Sequence, residues 1–118
     1  MILAFLNGQQ MLPNLLDTGV TSIFCYNDMV AIGALKASHE LGISVPQELS
    51  LIGFDGIDMS RYVTPPLTTV CQPMLELGSY ATQMLLDLLQ DKTVENRVLS
   101  PWLVKRGSSA APGSYHKF

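Results

Sequence analysis

Three short apolar runs in this chain each end on polar side chains: Ser22–Tyr26 on Asn27 and Asp28, Leu49–Gly53 on Phe54 and Asp55, and Leu67–Val70 on Cys71 and Gln72. Helical patterns follow the first and third, so the runs read as parallel strands separated by crossovers. The carboxyl ends of neighbouring strands in an open α/β sheet share one rim, and ligands bind along it. An amide, a carboxylate and a second amide therefore converge there, a set suited to hydrogen-bonding a small polar molecule. Taken singly, each polar residue marks no more than the end of a strand. Three in register point to a pocket.

The fold class that follows is α/β: a three-layer arrangement with a parallel sheet and helices on both faces. At 118 residues the chain is about one domain long and can bury roughly two thirds of its unfolded surface. Apolar residues make up 47% and charged ones 14%. That balance suits a piece of a larger α/β body, because parallel strands are covered on both faces. A net charge of −3, with seven basic residues scattered along the chain, supplies no basic patch for gripping nucleic-acid backbone. No stretch reaches the roughly 18 apolar residues of a membrane span. The opening Met1–Gly8 has neither a basic segment nor a small-residue cleavage site, so it is not read as a signal peptide, and the expected location is the cytoplasm. Cys25 and Cys71 each lie in or just after a predicted strand. A disulfide between them is conceivable; reduced, buried thiols are the expected state in that compartment.

Along the chain, residues 1–7 are apolar without clear period. Gly8–Thr18 has helical character but is broken at Pro13, which predicts a short helix starting near Pro13 and ended by Gly19. Asp28–Leu41 is a clearer helix, with Asp28 as its N-cap, Gly42 beyond its end, and Lys36 and Glu40 paired on the wet side. Pro65-Pro66 forbids regular structure before the third strand. Pro73 then opens the longest helix, Pro73–Gln90, where Met74, Leu77, Gly78, Ala81, Met84, Leu85 and Leu88 have the spacing of one buried face. A last extended segment covers 97–104, and Pro101 confines it to a sheet edge or a bulge. The domain is taken to span 1–106, with 107–118 as a disordered tail.

Catalytic patterns are thin. His39 and His116 are far apart in sequence, and there is no nucleophile elbow, phosphate loop or metal-ligand spacing of Cys and His. Asp55 with Asp58 is too small a set for a hard cation. The chain is not read as an enzyme, and no cofactor or metal is expected.

Three segments carry a resemblance: Ile23–Leu35 (IFCYNDMVAIGAL), Val45–Asp55 (VPQELSLIGFD) and Pro65–Pro73 (PPLTTVCQP), followed by a closing Leu99–Ser108. In order and spacing, Gly8–Ser108 resembles the effector-binding domain of the LacI/GalR family of bacterial transcription regulators, specifically the C-terminal subdomain of a periplasmic-binding-protein-like sensor. The resemblance implies a sugar-sensing, dimer-forming part of a regulator. It leaves the helix-turn-helix headpiece, the first subdomain and a leading strand and helix outside the chain. DNA would then be bound only through the headpiece. A fragment of a periplasmic sugar-binding protein, which shares the fold, is the alternative.

Carried over by position, the resemblance gives Asn27, Asp55 and Gln72 ligand-facing roles, the same rim that the strand pattern selects. Phe54 either lends the ligand an apolar face or packs in the core. Ile32, Leu35 and Tyr62 correspond to dimer-interface positions, with ordinary core as the competing reading. The implied partners are a small effector (a sugar or nucleoside-like molecule) and a second copy of the protein. Without its leading strand the isolated chain is expected to be dimeric or aggregating, since open edges and apolar patches recruit other chains.

Overall fold

The computed structural model describes residues 1–112. The three apolar runs form β1 (Ser22–Phe24), β2 (Ser50–Asp55) and β3 (Thr68–Cys71), and all pair in parallel. A fourth strand, β4 (Trp102–Val104), joins β3 antiparallel, giving a sheet in the order β1-β2-β3-β4. β4 is an edge, as Pro101 at its start requires. Leu49, Leu51 and Leu67 are fully buried at the strand starts, where they meet the helix layer.

Two helices build that layer. α1 spans Ile2–Leu16 and α2 spans Asp28–Glu40. α2 lies against β2, and α1 packs on α2. Glycines set their separation: a Cβ on Gly8 would sit 1.9 Å from the Val30 carbonyl oxygen, and one on Gly33 would sit 1.9 Å from that of Phe5. Gln9, midway along α1, donates to Glu40 at the end of α2 (3.1 Å), which also pairs with Lys36 one turn back. The Lys36 bond, followed by that from Gln9, holds the Glu40 carboxyl below its ordinary value.

α1 corrects the expectation of a short helix beginning near Pro13. The helix starts eleven residues earlier and runs through Pro13. Phe5, Gly8, Leu12 and Leu16 share a face against α2, and Leu12 is fully buried. Pro13 falls in the last turn, so its missing N–H and its clash with the preceding turn cost little beside that packing.

A second correction concerns the start of α2. The N-cap is Asn27, whose side-chain oxygen accepts the Val30 N–H at 2.9 Å. Asp28 is instead the first helical residue, and it is buried. The third correction lies at 107–110, assigned above to a disordered tail. Ser108 is buried: its carbonyl accepts the Leu51 N–H, its hydroxyl donates to the Leu51 carbonyl, and it accepts the Thr68 N–H. Ser109 and Ala110 add bonds to Thr68 and Ser50. β2 and β3 diverge at their starting ends, and this segment supplies the backbone partners they would otherwise lack. The rest of the expected tail, 113–118 with His116, lies outside the described residues.

After Gln72 the chain leaves this body. α3 (Met74–Leu89) buries none of its residues, so the apolar face read from its spacing lies open. The radius of gyration is 18.0 Å and the long axis 65 Å, against a radius of about 13 Å for a compact chain of roughly this length. Arg97, stacked 4.3 Å from the Tyr80 ring centroid, ties the returning strand of chain to α3.

Candidate functional site

The polar set lies at the carboxyl ends of the parallel strands. β1 pairs with β2 through Phe24 opposite Ile52, and β2 with β3 as far as Asp55 opposite Cys71. The Cys25 N–H continues the first ladder by donating to the Ile52 carbonyl at 2.8 Å. Asn27 follows two residues later as the cap of α2, and Gln72 stands one residue beyond the last β2–β3 pair, beside Asp55. Asn27, Asp55 and Gln72 thus each lie at or just beyond the carboxyl end of a parallel strand.

Two of the three are in direct contact. Gln72 Nε2 donates to Asp55 Oδ1 at 2.8 Å, and the Gln72 N–H to the Asp55 carbonyl at 3.2 Å. Asp55 has a φ of 111°, in the region that favours glycine, and Gly56 follows at 76°. Such a conformation costs an aspartate on the order of 1–3 kcal/mol and gathers at ligand sites. Here Gln72 holds the carboxylate at that angle, leaving Oδ2 without a partner among the described residues. Asn27 spends its oxygen on the helix cap and retains two amide donors. Phe54 is half-buried and outside the core cluster.

The interface positions divide between the two readings given for them. Ile32 and Leu35 are 7% and 6% exposed and belong to the chain's own core, where α2 meets the sheet. Their apolar character is accounted for without a partner. Tyr62, 81% exposed, does present its ring to solvent.

Sequence reasoning missed the residue behind the rim. Asp28 Oδ2 accepts the Ile57 N–H at 2.8 Å, and Oδ1 accepts the Thr69 hydroxyl. Gly53 makes room for it, since a Cβ there would lie 2.1 Å from Asp28 Oδ1. The signal was available as a carboxylate directly after a strand end together with a glycine inside the neighbouring strand. Nearby, burial and then the Asp28 charge push the Cys25 thiol up to about 11. Cys25 is therefore a protonated packing group and not a nucleophile. Among the described residues no three His, Cys, Asp or Glu side chains are grouped to hold a metal ion, and no helix is long and apolar enough to cross a membrane. A depression of about 470 Å³ lined by Leu35, His39, Ile43, Val45 and Thr64 opens at the opposite end of the strands.

This order of strands and crossovers matches the periplasmic binding protein-like domain over residues 5–109. The chain belongs to that family. Within it, the similarity is to transcription regulators, as the motifs imply. The chain is 41% identical over 108 residues to the HTH-type transcriptional repressor CytR of Escherichia coli K12, a match covering 88% of this chain and 32% of that repressor. It is 42% identical over 90 residues to the ribose operon repressor of Haemophilus influenzae, covering 75% of this chain and 27% of the relative. It is also similar to a LacI-family transcriptional regulator of Enterococcus faecium with bound ribose, with a TM-score of 0.85 and 40% identity over 90% of this chain and 40% of that one. The transcription regulator CcpA of Lactococcus lactis gives a TM-score of 0.87 at 31% identity, over 90% of this chain and 40% of that one. The chain spans about a third of the length of the curated relatives it matches.

Proposed function

We propose that this chain forms one wall of the effector site of a LacI-type transcriptional repressor, with Asn27, Asp55 and Gln72 binding a small polyhydroxylated molecule and Phe54 bordering it. A carboxylate flanked by amide donors can accept from two hydroxyls while the amides serve the ring oxygen or a further hydroxyl. The single observation that carries this reading is Asp55, held at an unfavourable φ by Gln72 with one carboxylate oxygen open. The ribose seen in the Enterococcus relative makes a pentose the first effector to test. Operator binding would belong to another part of the regulator, and Tyr62 to the contact between two copies. The relatives at 41% and 42% identity are repressors, which favours a cytoplasmic, non-enzymatic sensor over a periplasmic carrier.

Titration with D-ribose, followed through the side-chain amide resonances of Asn27 and Gln72, tests this reading. Both should shift with one saturable constant. Asp55→Asn removes a charged acceptor and should weaken binding by about 1.5–3 kcal/mol. Unchanged affinity in that variant removes Asp55 from the site.

A further inference from the structure

Asp28 is fully buried and sits beneath the rim at the point where its three corners meet. Its backbone adjoins Asn27. Its Oδ2 holds the N–H of Ile57, two residues beyond Asp55, and its Oδ1 takes the hydroxyl of Thr69, three residues before Gln72. Gln72 closes the circuit by its two bonds to Asp55. The two carboxylate oxygens thus tie the start of α2 to the turn after β2 and to the body of β3. Both contacts end on a side chain that is itself fully buried, where a hydrogen bond is electrostatically stronger than in water. The space for this comes from Gly53, opposite Thr69 in the sheet, whose missing Cβ would otherwise overlap Asp28 Oδ1.

A carboxylate completely inside a protein is costly to desolvate, and capping the helix does not account for it, because Asn27 does that. We infer that Asp28 is the positioning residue of the rim: it fixes the relative places of Asn27, Asp55 and Gln72 without touching whatever binds to them. The inference rests on the reading of that rim as a binding wall, but its structural half is measurable without any ligand. A pre-set rim loses less freedom on binding, so releasing it lowers affinity even though every contacting side chain is still present.

Hydrogen exchange separates positioning from plain stability. The amides of Ile57 and Gln72 report two sides of the circuit, and the Leu51 amide, bonded to Ser108 in the core, reports the whole fold. In Asp28→Ala, protection at Gln72 should fall about tenfold further than protection at Leu51, as expected for losing bonds to a charged group. Should that variant not fold, Thr69→Val, which removes the Thr69 arm alone, should show the same excess at Gln72. Asp28→Asn should restore most of it, because an amide can still accept from Ile57 and donate to Thr69. Leu12→Val, on the far side of the core, should lower both amides in parallel. Loss at Gln72 no greater than at Leu51 in the folded variants overturns the inference and leaves Asp28 a packing residue. D-ribose affinity should fall about tenfold alongside the excess exchange in the same variants; unchanged affinity alongside it also overturns the inference. If the unaltered protein gives no ribose titration, the effector reading fails, and exchange still decides Asp28.

Discussion

Helix α2 buries nine of its thirteen residues, whereas the sixteen-residue α3 buries none. Both carry apolar side chains at helical spacing. The difference lies in what stands beside them. α2 is held between β2 and α1, with glycines letting the helix backbones approach. α3 leaves the sheet after Gln72, and Leu75 is 91% exposed. Apolar periodicity therefore records that a helix needs a covering surface, and says nothing of whether the same stretch of chain provides it.

Mutations can break that contrast. The largest effect belongs to the buried side: Leu12→Ala, in the α1–α2 core, should destabilise the fold by about 2–5 kcal/mol in a urea titration. An alkaline titration comes next. The Cys25 thiol is raised from 9.0 to about 11 in the folded chain, so the fold binds that proton more tightly than the unfolded chain does. Stability should be constant below pH 9 in this respect and fall by about 2–3 kcal/mol as the pH rises towards 11. A Cys25→Ala variant should lack that alkaline component.

Two glycines give the sharpest comparison. Gly33→Ala places a methyl against the Phe5 carbonyl and should cost about 1–3 kcal/mol. Gly78→Ala in α3 meets nothing within 4 Å and should stabilise by about 0.5–1 kcal/mol through helix propensity alone. A destabilising Gly78→Ala would mean that α3 is covered in solution. Smallest in stability, within about 0.5 kcal/mol, are Leu75→Gln and Leu89→Gln. Their effect should appear in sedimentation, where removing exposed leucines reduces self-association of the chain.

β2 and β3 were legible because buried parallel strands read as unbroken apolar runs with polar ends, and β1, at the sheet edge with Phe24 63% exposed, keeps the same pattern. The rim was legible for the same reason: Asn27, Asp55 and Gln72 each follow such a run. Long-range contacts were not. Pro13 looked like a break because local propensity takes no account of the packing of Leu12 and Gly8 on α2. Asp28 read as a cap because a carboxylate at a helix start usually is one, and only the fold brings Ile57 and Thr69 to it. Ile32 and Leu35 were read either as a partner's surface or as ordinary core, because spacing alone does not say what covers a helix face, and their burial accounts for them within the chain. Ser108, polar and close to the chain's end, has the composition of a tail, and its partners lie 40 and 57 residues away.

Ser108 also sets a timetable for synthesis. β2 and β3 leave the ribosome first, with the gap between their starting ends still unfilled. At about 5–20 residues per second, the interval from Asp55 to Ser108 is a matter of a few seconds. During it the amides of Leu51 and Thr68 have only water as a partner. A nascent chain stalled before Ser108 would hold a sheet open at one end, a substrate for chaperones and proteases, and emergence of that serine is the step that closes it.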